Sequence, residues 1–140
     1  MKRNSVLLGG VAVALALAFP QSAFAAGPGI SVTPSTGLVD GAEVTATVSG
    51  FTAGGTVQVS ECAIPSNGVI VCDRSQVKTI TADASGGGST TLVAHKAFDG
   101  YTLDGAHWGA VDCVTVAGGC VIGAVDQPVT VHVAARISFQ

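Results

Sequence analysis

Val44-Thr45-Ala46-Thr47-Val48 alternates apolar and polar residues without a break and stops at Gly50. After Gly54-Gly55 the same period resumes in Val57-Gln58-Val59-Ser60. Successive side chains on a strand point to opposite faces, so this stretch describes two half-buried strands joined by a turn. A helix would space its apolar residues three or four apart, and no such period follows residue 25. Working outward, Ile30-Ser31-Val32-Thr33 alternates before Pro34 and Gly37 interrupt it. Residues 69–71, 77–81 and 90–94 are further short strand segments, and 129–133 and 136–139 close the chain. Gly, Asp, Asn and Pro fill the gaps. Many short strands at regular spacing predict an antiparallel sandwich or barrel.

Composition agrees with that class. The 140 residues suit one domain, with 48% hydrophobic and 11% charged residues. Such a chain collapses rather than staying disordered. Its 19 glycines have no three-residue period, which excludes a collagen. Val, Thr, Ala and Gly dominate, favouring strands and turns. The net charge of −3 argues against direct binding to nucleic acid, which rests on neutralised phosphates.

Residues 1–25 have the form of a secretory signal. Lys2 and Arg3 precede an apolar run from Val6 to Phe19, and Ala23-Phe24-Ala25 fits a small-x-small cleavage site. The run is shorter than the roughly 20 apolar residues that span a bilayer, and Pro20 ends it. The expected product is residues 26–140, one secreted extracellular β domain with no membrane contact after cleavage. Without Lys2 and Arg3, four basic residues face nine acidic ones, a net charge of −5.

An exported chain meets an oxidising compartment, and its four cysteines can pair. Three pairings are possible. Cys62 and Cys72 bracket the turn-forming Pro65-Ser66-Asn67-Gly68, and Cys113 and Cys120 bracket Ala117-Gly118-Gly119, which favours the two local pairs. Each loop closure would contribute about 2.5–3 kcal/mol in the chain-entropy picture. The gaps between cysteines do not match the tight pairs of structural zinc sites, so no metal is expected.

Catalytic signatures are missing: no H-E-x-x-H, no G-x-S-x-G and no Walker loop. His95, His107 and His132 are far apart in sequence, and a base formed with Asp104 or Asp112 is the enzymatic alternative. The simpler reading puts His132, which alternates with valines, on a solvent face. Gly86-Gly87-Gly88-Ser89 reads as the cap of a hairpin, and Glu61 as a solvated charge. Phe98, Tyr101 and Trp108 cluster around Asp99-Gly100 and Asp104-Gly105, read as turns, and are assigned to the core rather than to a recess.

In order along the chain, several short motifs resemble the neocarzinostatin family, the secreted apoproteins of enediyne chromoprotein antibiotics from actinomycetes. They are Val32-Thr33-Pro34-Ser35-Thr36-Gly37-Leu38 with Asp40-Gly41, then Cys62-Ala63 with Gly68-Val69 and Cys72, then Thr81-Ala82-Asp83. The most specific run is Phe98-Asp99-Gly100-Tyr101, Asp104-Gly105, Trp108-Gly109 and Val111-Asp112-Cys113, and Ile137-Ser138-Phe139 ends it. The resemblance covers essentially the whole chain after residue 25. It implies a seven-stranded antiparallel immunoglobulin-like barrel, a small ribbon part, and disulfides Cys62–Cys72 and Cys113–Cys120. It also implies a cleft that holds a small apolar chromophore noncovalently and protects it. DNA damage would then belong to the ligand, with DNA only an indirect partner. A monomer is expected, with no catalytic residue and no required cofactor.

The resemblance also implies the cleft residues. Ile64 stands where the family's cleft has a tryptophan, Val77 and Leu103 where it has phenylalanines, Val121 for a glutamine and Val125 for a serine. Gly123 matches a cleft glycine, and Ile70 keeps an apolar wall. A cleft so lined is more aliphatic and poorer in hydrogen-bond donors. Where members carry a longer loop before the last strand, this chain has Asp126-Gln127-Pro128 and a strand-like run to Val133. These replacements motivate the alternative of an extracellular immunoglobulin-like surface or adhesion protein that binds no chromophore.

Overall fold

The structure, a computed structural model, describes residues 27–66 and 68–140. The expected signal segment lies outside the described residues. Among the described residues, ten antiparallel strands make two sheets. β1 (Gly29–Thr33), β2 (Ala42–Ser49) and β6 (Gly88–Ala94) form the smaller one, with β2 in the middle. The larger sheet runs β10 (His132–Ile137), β9 (Cys120–Gln127), β3 (Thr56–Ala63), β4 (Val71–Asp73), β7 (Ala97–Thr102) and β8 (His107–Asp112). β5 (Lys78–Thr81) also pairs with β3.

Seven strands make the sandwich: β1, β2 and β6 face β5, β3, β9 and β10. The two sheets meet where β1 packs beside β10 and β5 beside β6. The alternation of β2 sends Val44, Ala46 and Val48 inward, where they meet Val57, Val59, Ile80, Leu92, Ile122 and Ala124. β4, β7 and β8 extend the larger sheet sideways as the ribbon part. Both disulfides have the local pairing, and Cys62 lies directly opposite Cys72 across β3 and β4.

The edge of β3 is shared, and this creates the site. Its first half, Thr56 to Val59, pairs with β5, and its end, Cys62 and Ala63, pairs with β4. Ser60 and Glu61 have no strand partner on that edge. There the chain between β4 and β5 makes a single 3-10 turn, Arg74–Gln76, capped by the Asp73 carboxylate accepting the Ser75 N–H. The interruption opens the sheet beside the ribbon.

Several sequence expectations are corrected. Residues 129–133 and 136–139 are not two strands: one strand, β10, spans the interval, and Asp126 folds the preceding loop by accepting the N–H groups of Thr130 and Val131. β7, β8 and β9 were not expected as strands. Asp99-Gly100 lies within β7 rather than in a turn, while Asp104-Gly105 does turn the β7–β8 hairpin. The Gly86-Gly87 turn passes from β5 to β6 in different sheets, so it caps no hairpin. Gly86 has φ of +81°, and a Cβ there would sit 2.1 Å from the Phe51 carbonyl oxygen, so only glycine fits. The aromatics divide: Phe98 enters the core, Tyr101 is half-buried and Trp108 is exposed.

Candidate functional site

The outer face of the larger sheet carries the residues that alternate with the core. On β3 these are Gln58, Ser60 and Cys62, and on β9 they are Val125, Gly123 and Val121, paired in that order across the ladder. Small and aliphatic side chains leave this face low. The ribbon rises beside it, through Cys72 and Tyr101 and then the Thr102–Gly105 turn. Between them lies a cleft of about 440 Å³, lined by Gln58, Ser60, Arg74, Val77, Tyr101, Leu103 and Val125, with Asp104 and Gly105 at the turn.

Of the residues expected from the family resemblance, Val77, Leu103 and Val125 meet in this cleft. Gly123 is buried on the same face, between Ser60 and Ala134 in the ladder. A methyl there would touch the Cys62 sulfur and the His132 imidazole at an ordinary 3.6 Å, so glycine lowers the surface without relieving a clash. Val121 shares that face opposite Cys62 but does not line the cleft. Ile70 joins Leu103 in a separate recess of about 340 Å³. Ile64, just past β3, is 46% exposed and lines neither space.

The cleft is not poor in donors. Arg74, Tyr101, Ser60 and Gln58 all reach it, and Arg74 lies outside the residues named from the resemblance. The Arg74 guanidinium sits over the Tyr101 ring, 5.4 Å from its centroid, a cation–π arrangement. Tyr101 also packs edge-on against His107 at 5.2 Å, and the His107 ring is held by Asp99 at 2.7 Å. Arg74 and Tyr101 form a partition, because a second, more open recess of about 670 Å³ on their other side is lined by both, with Asp73, His95 and Asp99. Asp104 is engaged by the Thr102 hydroxyl, which lowers its pKa.

Beneath this partition lies a cluster of ionisable groups. Glu61 is fully buried, which corrects its reading as a solvated charge. The period of β3 explains this, since Glu61 is in phase with the inward Val57 and Val59. Burial pushes its carboxyl from an ordinary 4.5 to about 7, against the His95 N–H that it accepts at 2.7 Å. Asp73 is also buried, and burial opposes its ionisation. The Ser75 hydroxyl and N–H and the His95 imidazole, 2.8 Å away, outweigh burial and hold its carboxyl below the usual value. Ligand-type atoms of Glu61, Asp73 and His95 lie within 4.8 Å of one another, so these three have the chemistry to hold a cation. Their mutual hydrogen bonds already account for the arrangement. The histidines do not gather: His95 meets Asp73, His107 meets Asp99, and His132 is exposed as expected, and none of the three pairs with Asp104 or Asp112.

Fold and cleft together define a class: small β-sandwiches stapled by two disulfides, with a lateral pocket of small-molecule size. The chain belongs to the Neocarzinostatin family, whose sequence model matches residues 30–139. The antitumor antibiotic C-1027 apoprotein of Streptomyces globisporus is 42% identical over 127 residues, covering 89% of this chain and 86% of that one. Macromomycin of Streptomyces macromomyceticus is 39% identical over 109 residues, covering 77% and 75%. A solved structure of macromomycin superposes with a TM-score of 0.74 at 37% identity, over 81% of this chain and 99% of the other.

Proposed function

We propose that this protein is an exported apoprotein that carries and protects a small, largely apolar chromophore, of the enediyne type its family implies, in the cleft between β3–β9 and the ribbon. The observation that carries this reading is the meeting of Val77, Leu103 and Val125 around about 440 Å³ next to a rigid, stapled ribbon. An apolar ligand entering such a space loses its water shell without forcing the protein to reorganise, which favours retention. The disulfide Cys62–Cys72 borders the cleft and holds its two walls in register. No group in the cleft is placed as a nucleophile with an adjacent base, and the protein's part is binding and exclusion of water. The acidic chain makes no contact with DNA of its own in this reading, and DNA chemistry belongs to the cargo. The segment 1–25 serves export, and the working unit is one chain.

Native mass spectrometry with near-ultraviolet absorbance, on protein secreted by its own host and kept cold and dark, tests the reading. A noncovalent extra mass absorbing beyond Trp108 and Tyr101 is the expected result. A bare chain with two disulfides, repeated over several growth conditions, would overturn it in favour of a surface protein without cargo.

A further inference from the structure

We infer that the Cys113–Cys120 disulfide is an exchangeable one: a small thiol reaches Cys113 from a recess beside β10, and Glu61 protonates the sulfur of Cys120 as it leaves. This recess shares no lining residue with the cleft beside the ribbon. Glu61 is fully buried, and its two carboxyl oxygens have different neighbours. Oε2 accepts the His95 N–H, whereas Oε1 lies 3.4 Å from the Cys113 sulfur. A sulfur in a disulfide carries no hydrogen, so it has nothing to donate to that oxygen. The contact is satisfied when the carboxyl keeps its proton and points it at the sulfur. Burial favours that form, as do the nearby Asp73 and Asp40 carboxylates, while the His95 N–H and imidazole oppose it. The Cys120 sulfur is also in reach, because a Glu61 oxygen and both sulfurs lie within 4.8 Å of one another.

The two sulfurs differ in access. Cys113 is 8% exposed and borders a recess of about 450 Å³, also lined by Ser35, Arg136 and Ser138, whereas Cys120 is 1% exposed and does not line it. The exposed Arg136, whose guanidinium donates to the Gly118 carbonyl at 3.0 Å, places a positive charge at the recess and favours the approach of a thiolate. A thiolate entering there attacks the Cys113 sulfur. Its new S–S bond forms as the Cys113–Cys120 bond breaks, and the bonding pair passes to the Cys120 sulfur. Left as an anion, that sulfur would be a buried charge without water, a costly product. The Glu61 proton passes to it instead. The products are a mixed disulfide at Cys113, a neutral Cys120 thiol and a Glu61 carboxylate. With a dithiol, its second sulfur, as thiolate, then displaces Cys113, which takes a proton from water, and the reagent leaves as a cyclic disulfide. The other disulfide lacks such an acid. The Cys62 sulfur has the Ser60 hydroxyl at 3.4 Å, and among the described residues no carboxyl is grouped with it and Cys72.

Reduction of the purified protein by dithiothreitol tests this. Samples are quenched with acid, and the freed cysteines are alkylated and located by peptide mass, so each disulfide is timed separately. Glu61→Gln keeps the shape of the side chain but has no proton to give up. The ratio of rates between the unaltered protein and this variant cancels the reagent's own ionisation. For Cys113–Cys120 the ratio should be about tenfold at about pH 5.5 and fall to about one or below at about pH 8.5, where the carboxylate has no proton and repels the thiolate. Cys62–Cys72 should open at rates within about twofold in both proteins at each pH. In the unaltered protein alone, the rate for Cys113–Cys120 relative to Cys62–Cys72 should fall about tenfold over the same interval, a reading that needs no variant. Reduction through general unfolding has the opposite sign: ionised Glu61 destabilises the fold, so the ratio would rise with pH and both disulfides would follow it. A ratio for Cys113–Cys120 that rises with pH, or that stays within about twofold across the interval, overturns the inference.

Discussion

β3 and β9 present two surfaces made from alternate residues of the same ladder, and the two have opposite packing. Inward, Val57, Val59, Ile122 and Ala124 are fully buried against the smaller sheet. Outward, Gln58, Ser60, Val121, Gly123 and Val125 alternate with them, and the face stays open beside the ribbon. One residue of register separates a closed core from a cleft. Because the side chains never share a face, the packing of the core and the lining of the cleft can change independently along one strand pair. Glu61 is the exception that links the two, since it occupies a core position yet accepts the His95 N–H and lies within 4.8 Å of Asp73, which caps the turn that carries Arg74.

The sharpest test of that division is Ile122→Ala. Ile122 is completely buried and faces Glu61 across the ladder, so truncation should leave a cavity and cost about 2–5 kcal/mol. Urea unfolding measures the loss. Affinity for a small apolar dye below the transition should stay within about twofold of the unaltered protein, a small fraction of the core penalty. A collapse of binding in the folded protein would show that the two faces are coupled.

A comparable effect is expected from pH through Glu61. Its carboxyl is raised from 4.5 to about 7 in the folded chain, so between these values the unfolded chain ionises while the folded one keeps its proton. The folded state binds more protons there, and stability falls as pH rises through this window and levels above it. The shift corresponds to about 3 kcal/mol as an upper order of magnitude. Asp73 works in the opposite sense at lower pH: its lowered carboxyl stabilises the fold above the unfolded value of 3.8 and loses this as acid protonates it. Glu61→Gln should therefore flatten the stability profile between about pH 4.5 and 7 and leave the acid limb in place. An unchanged slope in urea midpoints over that window would remove Glu61 as its origin.

How far the sequence reveals this arrangement depends on which face a residue occupies. β2 is legible because its outward residues are polar, so Val44, Ala46 and Val48 stand out. β9 is not, because its outward face is apolar too: Val121-Ile122-Gly123-Ala124-Val125 shows no alternation at all. The feature that hides the strand is the one that makes it a cleft wall. β7 is obscured by Asp99-Gly100, which has the look of a turn. Glycine stands there for another reason, since a Cβ would meet Val111 at 3.0 Å and the Gly109 carbonyl at 3.3 Å. Glu61 carried a usable signal, its phase with Val57 and Val59, which its charge outweighed. Arg74 carried none, because a residue in a 3-10 turn has no period to give its direction, and transfer by resemblance reaches only positions the family motif already names. Hence the resemblance names Val77, Leu103 and Val125, which line one cleft, and passes over the cation beside them.

The smallest expected change in stability is also the most informative about the cleft. Val125 is half-buried on the outward face, opposite Gln58 on one side and His132 on the other. Tryptophan there has open space to enter, so the core is untouched and the change in unfolding free energy should stay within about 0.5 kcal/mol. The indole would instead occupy the volume bounded by Val77, Leu103 and Tyr101. Unfolding midpoints and far-ultraviolet circular dichroism should therefore match the unaltered protein while retention of a small apolar dye is lost. If the substitution destabilises the fold by the amount expected for a core residue, the outward face is packed like the inward one, and the distinction between the two surfaces fails at the residue chosen to probe it.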